Sequence, residues 1–493
     1  MPTTDPGTTG PGATDPGATD PLGPPAEYAP MGAVALDDVE RWPTLGAADL
    51  TRVAAARAHP AAPVWVHETG DRLDQADLAA LAVGQPAAAS AGGTPPAWVA
   101  ALVERAHRTV PRYRAAARDG RSGPGTALTD LPTVTRRDLV TALAAHVPLD
   151  VPLDRVLHGT SSGSTGAALL VPLHPRSVAA DLLLVHALVE DAGVTWASDV
   201  TRLGLVNLVD QRAAFTYVSA MSAFPRPAGA PVPLMARVNL DASAWRDPGD
   251  RERWFEEHDP QVVSTSTIPL THLLDLAEAG LAVRPLAVVN GATHVTPAVH
   301  QRVRDVWGAP LVDLYGLRET GPVAFAAAPG QGHVLVDRRV HVEVLDATGQ
   351  PVPEGHRGEV VVTVDENPYL PLLRYRTGDH AALARAADGR PVLVGLEGRA
   401  AVLFVDSAGL GRPSIDATQV LQTAGLVAWH LHQDRDGHVR LRAVAPDVPA
   451  AQAAARVVRA WLDRPVELEV LHDVADLGGG KPARYSCDLP SLS

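Results

Sequence analysis

Seven consecutive residues, Thr160-Ser161-Ser162-Gly163-Ser164-Thr165-Gly166, combine hydroxyls with glycine. Small side chains leave backbone amides free to close around an anion, and the hydroxyls can donate to it. No Gly-Lys-Ser/Thr follows, so the stretch is not a Walker phosphate loop. On composition alone a flexible Ser/Gly linker fits equally well. Four later stretches also carry chemistry-bearing groups: Tyr315-Gly316-Leu317-Arg318-Glu319; Arg374-Tyr375-Arg376-Thr377-Gly378-Asp379; Gly398-Arg399; and Gly478-Gly479-Gly480-Lys481-Pro482-Ala483-Arg484. The second of these places a carboxylate, Asp379, on a tight turn. The last holds an ammonium group on a glycine-rich loop. Of 42 basic residues in the chain Lys481 is the single lysine, although lysine is ordinarily among the commonest residues.

The elements that must position these groups follow from patterning. Gln261–Ser266 reads as a buried strand, Pro269 opens a helix that ends near Gly280, and Leu286–Asn290 is a second apolar strand. Thr296-Pro297 caps and opens a helix closed by Gly308, and Leu311–Leu314 is a third strand. Strand, helix, strand, helix, strand implies a parallel α/β sheet, whose ligands sit beyond the carboxyl ends of the strands. Thr135 and Asp138 form a capping box for a helix over 136–144. Past Gly398 the pattern becomes a hairpin around Asp436-Gly437 (427–434 and 438–444), a helix over 450–462 and a strand over 466–471, a unit of about 95 residues. Residues 1–30, with PGATD twice in tandem, are expected to be a disordered Pro/Gly-rich tail, and Gln85–Pro96 a loop or linker. The expected organisation is a large α/β domain over 31–398 with mixed or parallel sheets, followed by a small, mobile α+β lid over 399–493.

Composition excludes several classes. The 493 residues carry 42 basic and 56 acidic groups, a net charge of −14, which argues against duplex nucleic-acid binding and against basic membrane-surface attachment. One cysteine, Cys487, excludes an intrachain disulfide, a cysteine-ligated zinc finger and an iron–sulfur cluster held by this chain alone. No run approaches the ~18 apolar residues of a membrane helix. The first 30 residues lack the basic and hydrophobic segments of a secretory signal. These features lead to the expectation of a soluble, cytoplasmic protein. His430 and His432 are expected to face solvent from one strand, with no third metal ligand evident nearby.

The five stretches, in this order, resemble the adenylate-forming superfamily of acyl-CoA synthetases, peptide-synthetase adenylation domains and luciferases. The resemblance is greatest to the phenylacetate–CoA ligase branch, on Val110-Pro111-Arg112-Tyr113, on the stretch over 131–139 and on Pro371-Leu372-Leu373 leading into Arg374–Asp379. It runs from about Trp98 to Arg484. It implies ATP- and Mg²⁺-dependent activation of a small carboxylic acid, aromatic acids included, as an acyl-adenylate with release of pyrophosphate. The acyl group would then pass to CoA, a carrier-protein thiol or an amine. By the same resemblance Ser161, Ser162, Gly163, Ser164, Thr165 and Gly166 would cradle the β- and γ-phosphates of ATP, with Thr165 close to the reaction. Gly291-Ala292 and Tyr315-Gly316 would flank adenine, and Asp313 would accept from its amino group. Glu319 would hold Mg²⁺, Asp379 both ribose hydroxyls, and Arg399 would support the ribose. Lys481 would bridge the substrate carboxylate and the α-phosphate, where a point charge acts mainly in the transition state. Thr216, Tyr217 and Met221 are acyl-pocket candidates by position.

The chain also departs from the family pattern. Ala167 and Ala168 stand where lysine and proline usually follow the loop. Arg318 replaces a hydroxyl residue that contacts the α-phosphate, and Thr293 replaces an acid. Ala401 and Val402 occupy the Asp-Asp hinge, and the loop that helps build the CoA site is not recognisable in Phe404–Pro413. Two other readings therefore stay open: activation of nitrite for diazo formation on an amine, and a non-catalytic nucleotide-binding relative.

Overall fold

The computed structural model describes residues 36–83, 89–161, 169–210, 214–291, 293, 295–398, 402–414, 417, 421, 424–478 and 483–489. The expected tail over 1–30, Ser162–Gly166, Ala167, Ala168, Ala292, Arg399, Ala401 and Lys481 lie outside the described residues.

The strands in chain order are β1 (Ser90–Ala91), β2 (Leu157–Ser161), β3 (Leu169–Leu173), β4 (Leu205–Val209), β5 (Tyr217–Ala220), β6 (Leu234–Asn239), β7 (Val262–Thr265), β8 (Ala287–Gly291) and β9 (Leu311–Leu317). They continue with β10 (Gly321–Ala326), β11 (His333–Leu335), β12 (Val340–Leu345), β13 (Arg357–Val364), β14 (Leu372–Arg385) and β15 (Pro391–Gly398). All but β2 and β3 form one mixed sheet in the order β1-β12-β13-β14-β15-β11-β10-β9-β8-β7-β4-β6-β5.

On one side of β9 the ladder β9-β8-β7-β4-β6 is parallel throughout. Helices Asp250–His258, Thr267–Glu278 and Pro297–Trp307 make the crossovers. Their apolar faces, including Leu270, Leu273, Leu274, Val299 and Val303, are fully buried with Val206, Val263 and Val288 of the strands. Thr296 caps the last helix by accepting from the Val299 amide, and Gly308 ends it at φ 66°. The helix after β7 begins at Thr267, two residues before the expected Pro269, because the Thr293 hydroxyl accepts from the Thr267 amide (2.9 Å). Proline is tolerated in the first turn, where its missing N–H costs no helical bond.

On the other side, β10 through β15 pair antiparallel and pack a valine-rich core of Val340, Val342, Val360 and Val362. The stretch read as a linker contributes to this wing. β1 pairs with β12, and the Ser90 hydroxyl meets His341 Nδ1 at 2.8 Å. β2 and β3 form a separate antiparallel hairpin with Ser161 opposite Leu169.

In the C-terminal segment, β16 (Leu403–Val405) and β17 (Gly411–Pro413) make a hairpin where the CoA-site loop is unrecognisable in sequence. β18 (Ala428–Gln433), β19 (Val439–Val444), helix Val448–Leu462, β20 (Val466–Leu471), a 3₁₀ turn Val474–Leu477 and β21 (Tyr485–Cys487) follow. The sheet order is β20-β19-β18-β21. Ala454, Val458 and Leu462 recur at helical spacing and bury against Phe404, Trp429, Leu431 and Leu441, an independent core. His430 and His432 do not simply face solvent: both bond the Ser486 hydroxyl of β21, at 2.9 and 2.8 Å. No helix among the described residues is long and apolar enough to cross a membrane.

Candidate active site

The two wings meet at the β9–β10 hairpin, and the candidate residues gather around it. β9 extends through Tyr315 and Gly316 to Leu317, three residues beyond the expected end, because β10 folds back and pairs with it. This return needs glycine at 316: a Cβ there would lie 2.5 Å from the Gly321 carbonyl oxygen. The turn between the strands holds Arg318, which is exposed, and Glu319, which is 3% exposed.

From the parallel wing, Asn290 of β8 lies opposite Asp313 of β9, and its amide donates to Asp313 Oδ1 at 2.7 Å. His333 Nε2 lies 3.4 Å from Asp313 Oδ2. Asn290 is fully buried, and its Oδ1 has no hydrogen-bond partner among the described residues. Among the described residues nothing lies within 4 Å of a Cβ placed on the adjacent Gly291, so they leave open space beside this backbone. An unused buried acceptor beside open space at the carboxyl end of a parallel strand fits a base with an exocyclic amine.

From the antiparallel wing, the Tyr315 hydroxyl donates to Asp379 Oδ2 at 2.8 Å, and the Tyr375 hydroxyl donates to Glu319 Oε1 at 2.5 Å. Asp379 lies not on a tight turn but inside the long β14, opposite Gly398, where Gly378 at φ 79° lets the strand bulge against β13. Its amide donates to the Thr377 hydroxyl oxygen (3.0 Å), and Glu359 braces the Gly378 amide. Burial, reinforced by the Asp379 charge, pushes the Tyr315 hydroxyl well above its ordinary pKa, so it stays a donor. Burial and the neighbouring Glu319 do the same for Tyr375.

Arg136, the first residue of the helix Arg136–Ala142, places a guanidinium 3.7 Å from Glu319 Oε1. The expected Thr135–Asp138 capping box is formed in both directions and fixes this helix start. A parallel bridge between Val134 and Tyr375 ties it to β14. Arg374 is buried at φ 51° and grips Glu343 through two 3.1 Å contacts, with further bonds to the Thr129 and Leu131 carbonyls. It is an anchor rather than a ligand.

Asp313, Tyr315, Gly316, Glu319 and Asp379 therefore converge, with Gly291 on the adjoining strand. Ser161 closes the β2 hairpin strand. The Thr293 hydroxyl is turned to the helix start, away from ligand duty. Met221 is packed in the core with Trp196 and Phe224, and Thr216 donates its hydroxyl to the Val64 carbonyl, so neither is offered to an open pocket. The roles of Tyr375, Arg136 and Asn290 escaped the sequence reading. Tyr375 and Arg136 stand in quoted motifs, but nothing in those motifs shows that they meet at Glu319. For Mg²⁺, the Glu319 carboxylate is the type of donor this hard cation takes, held in place by Tyr375 and Arg136.

A family model described as AMP-binding enzyme matches residues 154–366. The chain is 31% identical over 139 residues to a phenylacetate–coenzyme A ligase of Thermus thermophilus and 29% over 133 residues to one of Aromatoleum evansii. Each match covers 25% of this chain and 30% of the relative, so less than a third of those relatives' length is spanned. Among solved structures, 2-hydroxyisobutyryl-CoA ligase in a postadenylation state superposes with a TM-score of 0.56 at 18% identity, covering 80% of this chain and 88% of that one. An open conformation of the same ligase gives 0.50 at 19% identity, covering 79% and 90%. The family match, the relatives and the shared fold bear out the resemblance to the adenylate-forming superfamily.

Proposed function

We propose that this chain activates a small carboxylic acid with ATP. An acid oxygen attacks the α-phosphorus, the bond to the pyrophosphate oxygen breaks, and an acyl-adenylate and pyrophosphate result. The observation that carries the reading is the double pairing at the junction of the wings, Tyr315 with Asp379 and Tyr375 with Glu319. It joins β9 and the turn after it to β14, with Tyr315 and Glu319 inside the AMP-binding match. In this reading the space bordering Gly291 and Asn290 takes adenine, and Asp379 takes the ribose hydroxyls with Arg399 in support. The Ser162–Gly166 loop would take the outer phosphates, and Glu319 would hold Mg²⁺, which would supply charge neutralisation there. Lys481 approaches the α-phosphate from the C-terminal segment, where its charge offsets the negative charge that builds on the equatorial oxygens. The acceptor is CoA, a carrier thiol or an amine.

The test is acid-dependent exchange of labelled pyrophosphate into ATP over a panel of aromatic and aliphatic acids, with nitrite as a further arm. Exchange with a carboxylic acid supports the proposal, and a second incubation with CoA then asks whether a thioester forms. Exchange with nitrite alone replaces the acid, and absence of both exchange and ATP binding overturns the enzymatic reading.

A further inference from the structure

The helix Thr267–Glu278, which leaves the carboxyl end of β7, carries His272 with both ring nitrogens engaged. Nδ1 meets a carboxylate oxygen of Asp210, the residue after β4, and Nε2 lies 2.8 Å from Asp473 Oδ1. A carboxylate only accepts hydrogen bonds, and a neutral imidazole has only one N–H. Satisfying both contacts therefore requires the doubly protonated, cationic ring. Asp210 belongs to the large sheet, whereas Asp473 lies in the C-terminal segment and caps the 3₁₀ turn Val474–Leu477 by accepting from the Ala475 amide. Ile268, one helical turn before His272, packs on the same turn with Val474 and Leu477, and Thr296 donates to the Val427 carbonyl at 3.0 Å beside it. The turn ends at Gly478, three residues before Lys481.

We propose that His272 is a positioning residue: its cationic ring clasps Asp210 and Asp473 together, docks the C-terminal segment on the large unit, and so fixes the base of the stretch that carries Lys481. The clasp's part in catalysis rests on the adenylation reading, while the docking itself does not. The groups facing the ring are Asp210 from the end of β4 and Asp473 from the C-terminal turn. On its own helix, Asp275 and Glu278 are paired with Arg302. The bond to Asp210, aided by Asp473 and opposed by burial, lifts the His272 pKa from an ordinary 6.5 to about 9. A raised folded-state value means that docking is at full strength below pH 6.5 and is lost as pH rises through about 9.

His272→Ala and His272→Gln are compared with the unmodified chain in two assays. Hydrogen exchange at neutral pH should accelerate roughly tenfold in Val474–Leu477 with the remaining strands unchanged. Pyrophosphate exchange should lose roughly tenfold in kcat with the KM for ATP within about twofold, and the fall of the native activity above about pH 9 should disappear from both variants. Unchanged protection of Val474–Leu477 in both variants overturns the clasp. Altered protection with native kcat and pH profile overturns its positioning role. If the unmodified chain shows no exchange with any acid, the adenylation reading and the positioning role fall together. The protection of Val474–Leu477 then still decides whether His272 docks the segment.

Discussion

On one side of β9 the large sheet is a series of parallel strands joined by helices. On the other, from β10 to β15, it is an antiparallel succession joined by turns and short loops. The first side offers backbone at strand ends: among the described residues Gly291 borders open space, and the Asn290–Asp313 pair sits beside it. The second offers side chains, Tyr375 and Asp379, aimed back at the first through hydroxyl–carboxylate bonds. The site exists because β9 belongs to both. In the proposed reading the parallel wing would take the base, while the antiparallel wing sets charge and donors beside it.

This contrast can be broken by mutation, and the largest expected effect comes from a buried ion pair. Arg374 and Glu343 are each 5% exposed. Arg374→Ala leaves an uncompensated buried carboxylate and should destabilise the fold by about 3–5 kcal/mol. Urea unfolding measures this, and a cost near zero would show that the antiparallel wing does not depend on the pair. His341, 1% exposed on β12, is the next test. Burial depresses its pKa from 6.5 to about 4, so the unfolded chain takes the proton first. Stability is full above pH 6.5 and is lost as pH falls towards 4, by up to about 3 kcal/mol. His341→Gln should flatten that segment of the stability profile. An unchanged profile would place the acid sensitivity elsewhere.

The smallest expected effects sharpen the comparison at the junction itself. Asp379→Asn should reduce pyrophosphate exchange by about 100-fold, and Tyr375→Phe, which removes only a neutral donor to Glu319, by about tenfold. Both variants should keep the native unfolding free energy in urea to within about 1 kcal/mol. The reverse ranking would mean that Glu319, rather than Asp379, limits the site.

The parallel wing was legible because its information is local. Thr296-Pro297 and Gly308 bracket one helix; in the C-terminal segment, where the signal is also local, a period-two pattern placed the β18–β19 hairpin to within about a residue. The antiparallel wing was not, because its register joins residues far apart. Tyr315 meets Asp379 across 64 positions and Tyr375 meets Glu319 across 56. The motif Arg374–Asp379 looked like a single ligand-binding turn. In the fold it divides into an anchor, Arg374, a hydroxyl donor, Tyr375, and a carboxylate, Asp379, on a bulged strand. Thr293 looked like a lost acid, yet it caps the helix that carries His272. Its role depends on a loop-to-helix contact that no local pattern encodes.

The central claim, that an acid is joined to the α-phosphorus of ATP, is tested most directly by oxygen transfer. An acid found by the exchange assay is labelled with ¹⁸O in its carboxylate and turned over with ATP and the acceptor. The account predicts one labelled oxygen in AMP and none in pyrophosphate. Label in inorganic phosphate with ADP as the product, or AMP free of label, would contradict it.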